Sequence, residues 1–367
     1  MKIIICAAGS GGHIYPALRF AQELKASFKD VKIIFLCTKK NIEKAILKDT
    51  GYKTFYINLI SPRSDYKRII FFLKNIYFLL NFIVGNLKVF FVLCREKPQL
   101  VVGFGGIGAV PALIQSWMMR IPTIIHEQNV VPGLANRLLS RIATKVAVGF
   151  SESRPYFKRN DVEYTGTPLR GDLRLIAAPE AKAELGLEKT KFTMLVFGGS
   201  QGAEFINRAF IRSISGMAAA LRDNLQVIHI TGNKETALTE REYLSLGVKA
   251  KVVAYFNDMS KAYSAADIVI SRAGAGTINE ISWFGRPAIL IPYPYAGGHQ
   301  LINAQALAAK QAAYIVKQDD DCSGQLRDLI VRLAQDRTIE AMARKRKSGM
   351  DTAAASLARI ARELLVR

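Results

Sequence analysis

Acidic side chains are scarce in this chain: 30 Asp and Glu stand against 51 Lys and Arg, a formal net charge of +21. That imbalance sets aside cationic partners and favours anionic ones, namely nucleic acid, a phosphate-bearing ligand or an acidic lipid surface. The basic residues are scattered, with short clusters only at Lys39-Lys40 and Arg344-Lys345-Arg346-Lys347, and no aromatic-interleaved nucleic-acid motif accompanies them. Nucleic acid is therefore not expected as a partner, and lipid or phosphate is. Cysteine is equally sparse: Cys6, Cys37, Cys94 and Cys322 lie far apart with no paired spacing. That argues against a disulfide framework or a metal site and fits a reducing compartment. Low-complexity tracts are missing too, and half the residues are hydrophobic, as in a folded protein. The apolar start at Met1 is only a few residues long before it meets a glycine loop, so it reads as a buried first strand rather than a targeting segment. The only acidic run, Asp319-Asp320-Asp321, has no phosphate-loop context and reads as solvated charge. Neither a metal nor a cofactor is expected.

What the chain does have is alternation. Short apolar runs alternate with longer helical stretches, the pattern of an α/β protein with doubly wound parallel sheets. Its 367 residues suffice for two domains. The first set of predicted strands is Lys2–Cys6, Lys32–Cys37, Leu100–Val102, Thr123–Ile125 and Lys145–Val148. The second is Phe192–Phe197, Gln226–Ile230, Val252–Ala254, Asp267–Ile270 and Ala288–Ile291. The turn-rich stretch Thr165-Gly166-Thr167-Pro168-Leu169-Arg170 marks the boundary, giving domains at 1–164 and 191–350, a linker region at 165–190 and a closing helix at 351–367.

One segment breaks the alternation. Ile69 to Leu93 is almost wholly apolar and aromatic, with basic flanks at Lys67, Arg68, Arg95 and Lys97. A membrane span has to be weighed at that length. Lys74, Asn81 and Lys88 recur every seventh residue, however, with Asn75 beside them. Sevenfold steps drift only about 20° around a helix, so these residues form one narrow polar stripe. A helix lying in an anionic membrane interface fits best; a buried core helix and a true span are the alternatives.

Glycine loops carry the chemistry. Ala8-Gly9-Ser10-Gly11-Gly12-His13 follows the first strand, and Gly198-Gly199-Ser200-Gln201-Gly202 follows Met194–Phe197. Glycine allows sharp turns and close approach, and the helix behind offers unpaired N–H groups to an anion. A dinucleotide site wants an acid about 20 residues on, at the end of the second strand. The corresponding strands end Leu36-Cys37-Thr38-Lys39-Lys40 and His229-Ile230-Thr231-Gly232, without that acid. A third cradle, Ser271-Arg272-Ala273-Gly274-Ala275-Gly276-Thr277, opens a helix that puts Glu280 one turn in, where a carboxylate suits the two hydroxyls of a ribose. Thr277 and Glu280 read equally as a capping box. Gln300 and Asn303, three apart, offer amides suited to uncharged sugar hydroxyls, or simply begin a solvated helix. His126-Glu127-Gln128-Asn129 and Gly103-Phe104-Gly105-Gly106-Ile107-Gly108 fall at carboxyl ends of strands, the binding edge of open α/β sheets.

Taken in order, GSGGH, GFGGIGAVPA, HEQN with PGLANR, TGTPLR, FGGSQGA, SRAGAGTINE and HQLINA resemble the MurG family of peptidoglycan synthesis over nearly the whole chain. The resemblance implies the GT-B fold, two Rossmann-like domains facing a central cleft. It implies transfer of N-acetylglucosamine from UDP-N-acetylglucosamine to lipid I, giving lipid II, at the cytoplasmic face of the cell membrane by a peripheral enzyme. By it the first domain binds acceptor and membrane, and the second binds the UDP-sugar. Ser10, Gly11 and Gly12 would line the acceptor-side loop. Asn129, Arg170 and Ser200 would contact the UDP-sugar, with Gln201 and Gly202 in the same loop near the diphosphate. The Phe256 backbone would meet uracil. Ala275, Gly276, Thr277, Ile278, Asn279 and Glu280 would hold sugar, phosphate and ribose, and Gln300 with Asn303 would read the sugar hydroxyls. Gly276 stands where the family usually has a larger apolar residue, and His299 where a second amide is common.

The implied chemistry is an inverting displacement at the anomeric carbon. His13 is the first-choice base, since its ordinary pKa lies near working pH. Its alternative part is to shape the loop or contact a phosphate. Glu127 is the reserve base. Helix N-termini at Ser200 and Thr277, with Arg170 or Arg272, would meet the leaving-group charge. Two other readings stay open: another UDP-sugar enzyme of this fold, such as a glycolipid synthase or an epimerase, and a non-catalytic, membrane-docked nucleotide-binding protein.

Overall fold

The computed structural model describes residues 1–9, 11–57, 68–199, 202–295, 297–335 and 352–366, and leaves the side chains of 68–80 and 82 outside that description. It divides into two compact units, Met1–Arg170 with Asp351–Arg367, and Gly171–Met350. The stretch read as a linker, 165–190, is therefore split. Residues 171–190 belong to the second unit, where Arg174 N donates to Ser260 Oγ at 3.0 Å and Lys182 Nζ to Asp267 Oδ2 at 3.0 Å.

The first unit holds a seven-stranded parallel sheet: β1 (Lys2–Cys6), β2 (Lys32–Thr38), β3 (Lys53–Ile57), β4 (Leu100–Gly103), β5 (Thr123–Glu127), β6 (Lys145–Val148) and β7 (Val162–Tyr164), in the order β3-β2-β1-β4-β5-β6-β7. β1 shows why this sheet has two covered faces. Its side chains alternate, Ile3 and Ile5 packing with Phe20, Leu24 and Phe35 on one side, Ile4 and Cys6 with Val89, Leu113 and Ile125 on the other. A strand buried on both faces reads as a continuous apolar run rather than an alternating one. The last helix, Thr352–Leu365, returns to this unit and adds Leu357, Ile360 and Leu364 to the first of those cores.

The second unit repeats the plan with six strands: β8 (Phe192–Phe197), β9 (Leu225–Ile230), β10 (Lys249–Val253), β11 (Ile268–Ser271), β12 (Ala288–Leu290) and β13 (Ala313–Ile315), in the order β10-β9-β8-β11-β12-β13. The strands that sequence reading missed are β3, β7 and β13, each at or next to a sheet edge and three to five residues long. An edge strand needs less apolar surface, so its signal is weak.

Helix Arg68–Glu96 occupies the aromatic segment. Gly85, Val89 and Leu93 face the core, four residues apart, while Ile83, Val84, Leu87, Phe90 and Phe91 are exposed. Lys88 is exposed, with exposed Val84, Leu87 and Phe91 around it, and the core takes the 85/89/93 face. Lys74 and Asn75 lie outside the described side chains. Among the described residues no helix is long and apolar enough to cross a membrane.

A buried polar knot stiffens the second unit. Asn207 Nδ2 donates to Thr231 O at 3.0 Å and to Glu235 Oε2 at 2.7 Å, which turns its Oδ1 toward His229 Nε2 at 3.1 Å. His229 Nε2 thus carries the proton, and Nδ1 accepts from Tyr243 Oη at 2.8 Å. Burial pushes the His229 pKa down from 6.5 to about 3. The unfolded chain binds this proton more readily than the folded one, so the stabilisation is complete above pH 6.5 and declines as pH falls from there toward 3. Replacing His229 by Leu orphans Tyr243 Oη and Asn207 Oδ1, and is expected to cost about 1–3 kcal/mol at neutral pH. It should also flatten the acid-induced loss of stability. Urea unfolding followed between pH 7 and pH 4 checks both, and a variant with parental stability and acid sensitivity contradicts the account.

Candidate active site

In a doubly wound sheet the ligand crevice opens at the carboxyl ends of the strands, where the order reverses. The reversal falls between β1 and β4 in one unit and between β8 and β11 in the other. The glycine-rich loops that follow β1, β4, β8 and β11 lie at those four strand ends. Two requirements make these residues glycine. A Cβ on Gly106, at φ +80°, would lie 2.4 Å from Ala8 O, and one on Gly202, at φ +75°, 2.4 Å from Thr231 O. In both places a loop crosses the backbone of its neighbour too closely for a side chain.

In the first unit helix Gly11–Ser27 begins inside the first loop and carries His13 in its opening turn. Ser10 lies outside the described residues. His13 Nδ1 is 2.7 Å from Ala8 O. A carbonyl only accepts, so Nδ1 holds the proton and the neutral ring keeps its lone pair on Nε2. Nε2 points past Gly105, where an added Cβ would lie 3.2 Å away. Burial holds the His13 pKa below its ordinary 6.5, against the upward pull of the Ala8 hydrogen bond and of Glu127 and Glu43; Lys40 adds to the lowering. The ring is therefore a neutral proton acceptor at neutral pH. Two residues on, the Tyr15 ring lies 4.7 Å beneath the Arg170 guanidinium.

Glu127 is corrected as a reserve base. It is 2% exposed, and both oxygens are engaged. Oε1 accepts from Asn129 N at 2.9 Å and Asn129 Nδ2 at 3.1 Å; Oε2 accepts from Gly133 N at 3.1 Å and Asn136 Nδ2 at 2.8 Å. Four donors occupy the lone pairs a base would use. What Glu127 does is fold the turn that presents Asn129.

In the second unit Ser200 and Gln201 lie outside the described residues, and Gly202 closes a turn onto Gly199 O at 3.0 Å. Helix Ala275–Phe284 starts with Gly274 as its N-cap and no side-chain cap. The capping-box reading is thus corrected: Thr277 is already inside the helix, and Glu280 is released from capping. Glu280 Oε2 instead accepts from Tyr263 Oη at 2.9 Å, and Tyr263 is itself fixed by stacking on Phe284 at 4.9 Å. Ala275 and Ile278 point into the core, so only their backbone is placed to meet a ligand. Asn279 Nδ2 donates to Ala275 O at 2.8 Å, within its own helix. Among the described residues, its own chain neighbours and helix backbone aside, nothing lies within 4 Å of where a Gly276 Cβ would be.

Gln300 Oε1 accepts from Ala273 N at 3.2 Å and Tyr293 N at 3.0 Å. With its oxygen committed to these two backbone donors, the amide has its N–H groups left to donate. Asn303 is corrected more strongly: it is 0% exposed and donates to Ala273 O at 3.3 Å, making it a strut for the third loop and not a reader of hydroxyls. Arg272 is likewise turned inward, donating from Nη1 to Ile291 O at 3.0 Å with its guanidinium 5.3 Å from the Tyr293 ring centre. Burial lowers its pKa. Phe256 is half-buried just past β10. Among the described residues no three His, Cys, Asp or Glu side chains gather as a metal site. Sequence reading missed Tyr263, Asn207 and Glu43, whose parts depend on contacts that no local pattern encodes.

Known proteins share this arrangement. Residues 3–148 match the glycosyltransferase family 28 N-terminal domain and residues 193–359 its C-terminal domain. A relative from Caldicellulosiruptor saccharolyticus is 37% identical, covering 100% of this chain and 98% of its own. One from Bacillus subtilis is 35% identical, covering 99% of each. Both are named UDP-N-acetylglucosamine--N-acetylmuramyl-(pentapeptide) pyrophosphoryl-undecaprenol N-acetylglucosamine transferase. Among solved structures, Acinetobacter baumannii MurG is similar with a TM-score of 0.76 at 26% identity, covering 99% of this chain and 100% of that one. A Listeria monocytogenes protein described as a UDP-N-acetylglucosamine 2-epimerase reaches a TM-score of 0.69 at 9% identity, covering 97% of this chain and 94% of that one, and shares the fold alone. With both family 28 domains in sequence and relatives aligned end to end, the chain belongs to the MurG family of GT-B glycosyltransferases.

Proposed function

We propose that this protein transfers N-acetylglucosamine from UDP-N-acetylglucosamine to the 4-hydroxyl of N-acetylmuramic acid in lipid I, inverting the anomeric carbon and yielding lipid II and UDP. The observation that carries this reading is end-to-end similarity to enzymes named for that substrate pair. The acceptor hydroxyl gives its proton to His13 Nε2 while its oxygen bonds to the anomeric carbon. The bond from that carbon to the diphosphate breaks, and UDP leaves with the electron pair. Gly11 and Gly12, with Ser10, serve the acceptor side. Asn129 and Arg170 meet the UDP-sugar, with Ser200, Gln201 and Gly202 at the diphosphate. The backbone of Ala275 to Thr277 supports the phosphates, since a helix N-terminus carries unpaired N–H groups and positive partial charge. Glu280 accepts from the ribose hydroxyls, Gln300 donates to the sugar, and the Phe256 backbone meets uracil.

An anionic membrane surface is the second partner in this proposal, approached as a peripheral enzyme from the cytoplasmic face. Helices Arg68–Glu96 and Ala109–Met118 are joined by Gln115 Nε2 donating to Asn86 O at 3.0 Å. Together they expose Leu87, Phe90, Phe91 (66%), Trp117 (54%) and Met118. Exposed Lys88, Arg95 and Arg120 accompany this apolar surface, the pairing that suits anionic head groups.

Purified protein given UDP-N-acetylglucosamine and a short-chain lipid I analogue is expected to release UDP without added metal. No release, or transfer from UDP-galactose instead, contradicts the reading. His13→Ala should lower kcat by about 10²–10⁴-fold, the usual worth of a general base, with KM for the donor little changed. Phe91→Ser combined with Trp117→Ser should weaken binding to phosphatidylglycerol vesicles several-fold and spare turnover of the water-soluble acceptor. Unchanged vesicle binding would remove that surface from the proposal.

A further inference from the structure

Beside the first loop stands a carboxylate to which the reading above gives no part. Glu43 lies in the first turn of helix Asn41–Leu47, just after β2. An acid in that position ordinarily faces water near the unpaired N–H groups. Here it is 0% exposed. Oε1 accepts from Thr38 Oγ1 at 2.5 Å and from Gly9 N at 2.7 Å, while Oε2 has no hydrogen-bond partner among the described residues. Lys40 Nζ donates to Gly9 O at 3.3 Å from the other side.

The Gly9 N–H that Glu43 holds and the Ala8 C=O that His13 Nδ1 holds are the two ends of one peptide unit. That unit is planar and rigid, so fixing the direction of its N–H fixes the direction of its C=O. A carboxylate on the N–H also polarises the amide and makes its oxygen a stronger acceptor. We propose that Glu43 is a positioning residue that acts on His13 through the Ala8–Gly9 peptide, holding the ring in its Nδ1–H tautomer and raising its basicity. The Cys37 thiol beside it is pushed up to about 12, by burial first and by Glu43 second. The charged groups facing His13 are Glu43 from the helix after β2, Lys40 from the turn before that helix, and Glu127 from the end of β5. Glu127 and Lys40 have other hydrogen-bond partners, and only Glu43 reaches His13 through a shared peptide. Burial and Lys40 lower the His13 pKa, and Glu43 and Glu127 oppose them.

The inference rests on His13 as the base, and its test separates the two. In the full-length protein with ¹⁵N-labelled histidine, Glu43→Gln keeps the shape and removes the charge. His13 is expected to titrate at lower pH than in the parent, with a smaller share of the Nδ1–H tautomer. kcat should fall, but by less than the roughly 10²–10⁴-fold worth of the base itself, with donor KM within a few-fold. A His13 ring that titrates at the parental pH and keeps its tautomer overturns the relay. Where the amide variant does not fold, Glu43→Asp keeps the charge and shortens its reach. The Gly9 amide proton should then move upfield as its bond lengthens, and an unmoved Gly9 resonance overturns the proposal. Full turnover in His13→Gln would instead sink the base reading, leaving the titration to decide the relay by itself.

Discussion

The Ala8–Gly9 peptide is gripped from several directions: Glu43 takes its N–H, His13 takes its C=O, and Gly106 passes so close to that oxygen that a side chain there would collide with it. The orientation of the candidate base, the glycine at 106 and the burial of a carboxylate at 43 all follow from keeping one amide plane in one direction. A glycine loop built this way differs from a simple anion cradle. Its backbone aims a side chain.

The second unit repeats the topology with different joinery. Gly202 also crosses a carbonyl closely, but the carbonyl is Thr231 O at the end of β9, and it is held by Asn207. Asn207 in turn is tied to Glu235 and to the buried His229–Tyr243 pair. Among the described residues no titratable side chain is aimed out through this loop. The amide and histidine are consumed internally, which suits a loop whose offering is backbone N–H. Two loops of similar sequence thus differ in joinery: at one a histidine ring is held by the loop's own carbonyl, and at the other a histidine is tied up inside the core.

Much of the fold was legible because strands buried on both faces write themselves as apolar runs. β1, β2, β8 and β9 were read close to their observed bounds, whereas β3, β7 and β13 need less apolar surface and left little trace. At the site, residue type and the carboxyl-edge rule found the right loops but not the direction of each side chain. Asn303 and Arg272 look like ligand readers in sequence and are struts in the structure, since burial is decided by what packs above them. Glu43 looks like a solvated helix-start acid for the same reason. Thr277 and Glu280 have capping-box spacing, yet the helix starts earlier, at Ala275 after Gly274. Local pattern cannot register a competition that tertiary packing wins.

The central claim is that His13 is a neutral base whose pKa is held below 6.5 by burial and kept usable by the Ala8–Gly9 peptide. The pH dependence of kcat/KM for the lipid I analogue addresses it directly, because that profile reports ionisations of the free enzyme and substrate. The account predicts an acid limb with a midpoint below pH 6.5 that disappears in His13→Gln, leaving a low and flat residual rate. An acid limb retained at the same pH in His13→Gln would assign the titrating group elsewhere and contradict the account.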